Sequence, residues 1–329
     1  MKIAIITDGN NTLGLGHIYQ SMTLANFLSK KTHNKAIIYF ITKSGKKIVN
    51  LLKETNYPVF YYSNDNLIFN ALRNENPDRI IFDKLDVSPV FAKKIKEELS
   101  ARLIIFTNLT AANQYADVNV LADIGSDFKN IYQSDKVSHQ TKFFGPRYWL
   151  LRPEFYKFIG KKKKKSVFIE NIMIIFGGAD KSNFSTLILN ELLNSDDKFF
   201  IKLVLGAVFK NNQEIINLIN SKHHSKSSVQ VLSNVKNVAD IMSNSDLVFA
   251  SPGLSFFEAL AVGTPVICYH QNNLQRDTYK GFFRTYGKAD VKKTSSLIIS
   301  KTFIYPDEPF IKNLNIGEGK DDILYEILK

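Results

Sequence analysis

Four groups of residues in this chain have the types and spacing that chemistry requires. The first is Gly14-Leu15-Gly16-His17, which follows a turn-rich stretch, residues 8–13. An imidazole there offers a base near neutral pH, on a backbone whose glycines allow close approach to a ligand. The second is Asp83, at the end of the apolar run 79–82. Its carboxylate suits orienting a ligand or His17, and equally suits capping the turn that follows. The third is Gly177-Gly178-Ala179-Asp180, a tight turn whose N–H groups can meet phosphate oxygens. The fourth is Ser251-Pro252-Gly253-Leu254-Ser255, with Glu258 three residues beyond Ser255. Ser255 or the turn N–H groups suit a second phosphate oxygen. Glu258 stands at capping-box spacing from Ser255, or offers an acceptor-only carboxylate to a ribose diol.

The elements that must carry these groups alternate as strand and helix along the chain. Residues 1–7, 36–41, 79–82 and 103–106 read as strands, and Ile18, Met22, Leu24, Ala25 and Leu28 fall at helical spacing. The pattern restarts with a strand over 171–176, a helix over 183–193, a strand over 247–250 and a helix over 256–262. Such alternation predicts parallel, doubly wound α/β sheets, in which ligands bind at strand carboxyl ends. All four groups fall at such ends. Two prolines, lost periodicity and the lysine run 161–165 mark a boundary between the halves. The expected organisation is a sugar-binding and catalytic domain over 1–147, a linker over 148–165 and a nucleotide-binding domain over 166–329, facing each other across a cleft. The last helical stretch, 321–328, is expected near the junction.

Composition narrows the classes. A chain of 329 residues, 44% hydrophobic, is long enough for two cores. Its one cysteine, Cys268, excludes an intrachain disulfide and lies in an apolar run, as a buried inert thiol would. The segment near the amino terminus lacks a signal-peptide layout, and no run is long enough to span a bilayer, so a cytoplasmic location is expected. The net charge of +12 comes with general lysine and asparagine richness. That points to a solvated surface, not nucleic acid, and leaves room for a loose membrane-surface contact. The turn Gly177-Gly178-Ala179-Asp180 follows neither the Walker nor the dinucleotide pattern. No Asp-x-Asp signature or His/Cys cluster is present, so no metal and no cofactor are expected; His223-His224 reads as solvent-exposed.

Taken together, Gly177-Gly178 and the Ser251 to Glu258 segment resemble the nucleotide-binding half of GT-B enzymes that use UDP-sugars. Gly14-Leu15-Gly16-His17, Leu24-Ala25, the stretch Tyr148-Trp149-Leu150-Leu151-Arg152-Pro153-Glu154-Phe155 and Phe176-Gly177-Gly178-Ala179-Asp180 together resemble a narrower group. It comprises the UDP-sugar hydrolase of pseudaminic acid biosynthesis and its spore-coat-polysaccharide relatives. The resemblance implies two Rossmann-like domains and diphosphate binding at helix termini near Gly178 and Leu254. It also implies ribose binding at Glu258, uracil reading near 232–238 and a sugar or phosphate contact at Asn272. The reaction implied is attack of water, deprotonated by His17, on a UDP-linked diacetamido trideoxyhexose. A glycosyltransferase with a UDP-sugar donor, or a binding protein with a degenerate sugar side, remains open. The chain departs from the group at Tyr19-Gln20, at Lys84-Leu85 and at Thr107-Asn108, positions that line the sugar side in its members.

Overall fold

The structure is a computed structural model, which describes residues 1–9, 14–122, 140–161, 168–233, 235–280, 283–299 and 313–329. The chain divides into two compact units, residues 1–152 with 317–329, and residues 153–316. The expected division at 147 and 166 differs in two respects: the change of unit falls between residues 152 and 153, within the expected linker, and the last helix belongs to the first unit. Most of the lysine run, residues 162–165, lies outside the described residues.

In the first unit the order is β1 (Lys2–Thr7), α1 (Gly16–Lys31), β2 (Ile37–Thr42), α2 (Lys46–Lys53), β3 (Val59–Tyr61), α3 (Asp65–Glu75), β4 (Arg79–Asp83), α4 (Pro89–Glu98), β5 (Arg102–Phe106), β6 (Val118–Leu121) and β7 (Thr141–Phe144). The second holds β8 (Asn171–Ile175), α5 (Phe184–Leu193), β9 (Phe200–Leu205), α6 (Asn212–Ser221), β10 (Ser228–Ser233), α7 (Val238–Ser243), β11 (Leu247–Ala250), α8 (Leu254–Ala261), β12 (Val266–Tyr269), α9 (Asn273–Tyr279), β13 (Thr285–Tyr286) and α10 (Val291–Ile299). Helix α11 (Lys320–Leu328) then packs on the first unit, where Arg102 reaches Glu326 at 2.8 Å and Arg79 donates to the Ile327 carbonyl at 2.7 Å.

The first sheet has the order β3-β2-β1-β4-β5-β6-β7 and the second β10-β9-β8-β11-β12-β13, with every described strand pair parallel. Parallel strands covered on both faces read as unbroken apolar runs, which is why Ile3, Ile5, Ile80, Ile81 and Ile104 are wholly buried. Polar residues mark where helices begin. Asn64 accepts from the Leu67 amide before α3, and Ser88 from the Phe91 amide before α4, with Pro89 opening that helix. Each sheet has one place where successive crossovers run in opposite directions: β1 beside β4 in the first, β8 beside β11 in the second. Loops part there and leave a crevice at the carboxyl ends. His17 follows β1 and Asp83 ends β4; Gly177 follows β8 and Ser251 follows β11. Among the described residues no helix is long and apolar enough to cross a membrane.

Candidate functional site

Helix α1 begins at Gly16 with no side-chain cap and no acidic residue in its first turn. Gly14 takes a left-handed φ of +79°, so the chain turns sharply into the helix and places His17 at its start. Register pairs Thr7 with Asp83 across β1 and β4, bringing that carboxylate under the helix. His17 Nδ1 lies 2.7 Å from Asp83 Oδ1. Ser21, one helical turn beyond His17, donates its hydroxyl to Asp83 Oδ2 at 3.0 Å. The Asp83 side chain is 0% exposed and that of His17 15%. An acceptor-only carboxylate at Nδ1 assigns the ring proton to that nitrogen and leaves the Nε2 lone pair as the ring's basic site. Of the roles open to Asp83 — orienting a ligand, orienting His17 or capping a turn — the contact at 2.7 Å supports orienting His17. Ser21 was missed from sequence, although its four-residue spacing from His17 on one helix was a usable signal.

The departures on the sugar side take definite places. Lys84 is buried and pairs with Asp8 at 2.7 Å and with Asp86 at 3.2 Å. Asp8 also accepts from the Lys43 amide at 2.7 Å and the Thr42 hydroxyl at 3.1 Å. Burial opposes both charges. The mutual attraction outweighs it, so the Asp8 carboxyl titrates below the usual aspartate range and the Lys84 ammonium above the usual lysine range. Gln20 is buried on the inner face of α1, while Tyr19 is partly exposed. Asn108 is wholly buried, accepting from the Val87 amide and donating to Asn113 Oδ1 at 2.9 Å each. Its implied place on a sugar-facing surface is therefore corrected: it ties down the segment after Lys84. Thr107, beside it, holds a β-branched side chain at φ +52°, a strained backbone state.

In the second unit Gly177 (φ +69°) is exposed and Gly178 and Ala179 continue the turn. The helix that follows starts only at Phe184, and its first amides are already occupied. Asp180 accepts from Phe184 N at 2.9 Å and Ser185 N at 2.7 Å. Burial pushes the Asp180 carboxyl upward, against those bonds. The expectation of a free helix terminus near Gly178 is thus corrected; what the turn offers is its own amides. Helix α8 differs. Gly253 (φ +126°) stands at its N-cap with no side-chain cap bond, and Gly253, Leu254 and Ser255 are partly exposed. The helix dipole and the absence of a side-chain cap favour an anion at the Leu254 and Ser255 amides, while Phe256 N donates to the Gly253 carbonyl at 3.1 Å. The capping-box reading of Glu258 fails: Gly253, not Ser255, is the N-cap, and Glu258 sits a turn further in, 0% exposed. Asn272 caps α9, accepting from Gln275 N at 2.8 Å.

Gln271 was not anticipated. Its amide donates to the Phe176 carbonyl at 3.3 Å and to Ser251 Oγ at 3.0 Å, tying the turn after β8 to the turn after β11. Nothing in its spacing announces this, because its partners lie 95 and 20 residues away. In the stretch 148–155, Trp149, Leu150, Leu151 and Phe155 are buried and serve packing. His223 and His224 are exposed, and Cys268 is buried, with burial holding its thiol well above the ordinary range. Of the proposed uracil segment, residues 232–233 end β10 and Asn234 lies outside the described residues. Among the described residues no three His, Cys, Asp or Glu side chains are grouped to hold a metal ion.

No protein-family model matches the chain. It is 39% identical over 339 aligned positions to an uncharacterized protein of Methanocaldococcus jannaschii, covering 99% of this chain and 66% of that protein. The chain therefore spans about two thirds of that relative's length. The spore coat polysaccharide biosynthesis protein SpsG of Bacillus subtilis is 24% identical, over 93% of this chain and 87% of that protein. The processive diacylglycerol beta-glucosyltransferase of Bacillus subtilis is 26% identical, over 54% and 50%. Among solved structures, UDP-GlcNAc 2-epimerase from Neisseria meningitidis bound to UDP-GlcNAc superposes with a TM-score of 0.61 at 12% identity, covering 100% of this chain and 99% of that one. MurG of Acinetobacter baumannii gives 0.61 at 11% identity, with the same coverage. The fold is GT-B. Both Rossmann-like units, each with its crevice between the first and fourth strands of its sheet, are accounted for by it.

Proposed function

We propose that this protein is a glycosyltransferase-type enzyme that takes a UDP-linked sugar as donor. The observation that carries the reading is the Asp83–His17 pair at 2.7 Å, opening a helix at the crevice beside β1 and β4. Support for the nucleotide comes from the uncapped start of α8, the glycine turn after β8, and the structural neighbour bound to UDP-GlcNAc. In this reading His17 Nε2 takes the proton from an acceptor hydroxyl, and that oxygen bonds to the anomeric carbon. The bond from that carbon to the diphosphate breaks, and UDP leaves with the electron pair. In the second unit the N–H groups of Gly178, Ala179, Leu254 and Ser255 suit the diphosphate of a nucleotide. Gly14 and Gly16 give the sugar side its close approach. Ribose binding at Glu258 requires the chain that covers this carboxylate to move.

The same base would serve water as acceptor, giving hydrolysis of a UDP-linked amino sugar. The relatives' names favour transfer. Purified protein is incubated with a panel of UDP-sugars, with and without hydroxylated glycan and lipid acceptors, and UDP release is followed. Release that depends on an acceptor and disappears in His17→Ala, while UDP still binds, is expected. Equal release from donor alone would replace transfer by hydrolysis. Undiminished turnover in His17→Ala would remove the base assignment.

A further inference from the structure

Gly206, directly after β9, lies against the glycine turn that follows β8, and its requirement is one of space. A Cβ built on Gly206 would stand 2.1 Å from the Gly177 carbonyl oxygen, 2.4 Å from that of Gly178 and 2.5 Å from the Gly178 Cα. All three are backbone atoms, which cannot swing aside as a side-chain end would. The backbone angle of Gly206 is not in the left-handed region, so any residue could adopt its conformation; none but glycine fits beneath the turn. The Val208 amide adds a bond to the Gly178 carbonyl at 3.2 Å.

The direction of these contacts matters. In a trans peptide the N–H points opposite to the C=O, and no peptide among the described residues is cis. The carbonyls of Gly177 and Gly178 are turned toward Gly206. The N–H groups of the same two peptides, which belong to Gly178 and Ala179, therefore point away from it, side by side. With Gly177 at φ +69°, two successive amides on one side make a small anion-binding concavity. The α5 terminus behind them is occupied by Asp180, so these two amides are what the turn offers a phosphate.

We infer that Gly206 is a positioning residue for phosphate binding: it seats the carbonyl side of the turn, assisted by the Val208 amide, and so aims the Gly178 and Ala179 amides at one phosphate group of the nucleotide. The inference rests on the nucleotide reading above. Its test compares UDP with uridine, which lacks the phosphates, by calorimetry on the whole 329-residue chain. Gly206→Ala is expected to weaken UDP by about tenfold or more, the loss of one charge-assisted hydrogen bond, and to leave uridine binding unchanged. Val208→Pro deletes the amide that holds the Gly178 carbonyl, besides fixing φ at 208 and restricting Ala207, and it serves if the alanine variant does not fold. It should show the same selective loss, to a smaller degree. UDP and uridine weakened alike, or UDP affinity retained in a folded variant, would overturn the positioning role. Wild-type protein that binds neither compound would overturn the nucleotide reading itself, which separates the two failures.

Discussion

At the scale of single residues, the proposed chemistry rests on which nitrogen of His17 carries the proton. Asp83 decides this because its buried carboxylate can only accept. Asp83→Asn keeps the shape but brings an amide that can donate to Nδ1 and shift the proton to Nε2. Turnover should fall about 10²–10³-fold with UDP affinity retained; an unchanged rate would show that Asp83 merely packs. The Asp8–Lys84 pair, 2.7 Å apart and buried, makes a second residue-scale prediction. Removing Lys84 leaves the buried Asp8 carboxylate uncompensated and should cost about 3–5 kcal/mol in urea unfolding, whereas removing Asp8 leaves Lys84 its Asp86 partner and should cost less. The paired replacement Asp8→Asn with Lys84→Met should cost far less. Losses under about 1 kcal/mol in both single variants would show that the pair contributes no more than a surface one. The pH dependence follows from the directions of the two shifts. The depressed Asp8 value contributes stability that is complete above the ordinary aspartate range, about pH 4, and lost as pH falls through the folded value. The raised Lys84 value contributes stability that is complete below about pH 10.4 and lost as pH rises through its folded value.

At the scale of elements, the ends of strands and helices carry the strain and the caps. Thr107 closes β5 at φ +52°, where a β-branched residue is unfavourable. Thr107→Gly should raise stability by about 1 kcal/mol, read as a higher melting temperature; a lower one would mean that the hydroxyl holds the strand end. Asp180 caps α5 through two amides. Asp180→Ala should cost roughly 1–2 kcal/mol, and an unchanged melting temperature would show the cap to be inconsequential. Much at this scale was legible beforehand. The glycine at φ +126° before α8, the glycine at φ +79° before α1 and the alternation of strand and helix all have local causes. The roles of Glu258 and Asp180 were not legible. Whether a carboxylate caps, hides or binds depends on which helix residue proves to be first; by type Ser255 is the better N-cap, yet Gly253 takes the position.

At the scale of the whole molecule, the chain crosses from one unit to the other and returns. Helix α11 lies far along the sequence from the sheet it covers, burying Ile323, Leu324 and Ile327 in the first unit. Deleting residues 320–329 removes that apolar cover, worth about 5 kcal/mol at ordinary burial energies. The first unit should then unfold earlier in calorimetry or become the first target of limited proteolysis. Unaltered protection of residues 1–152 would show the helix to be an appendage. A fragment of residues 1–152 should likewise need residues 317–329 supplied to it.

What the sequence by itself determined is whatever depends on local order. Apolar period sets strand or helix, and the glycines set the sharp turns. Strand length together with right-handed crossovers then places His17, Gly177 and Gly253 at the carboxyl ends of parallel strands. Tertiary structure alone decided which side chains meet there. His17 finds Asp83 across 66 residues and Lys84 finds Asp8 across 76. Gly206 lies under a turn that its own neighbourhood does not predict. Such meetings follow from strand order in the sheet, and strand order is settled by packing the whole unit, which no short window of sequence contains.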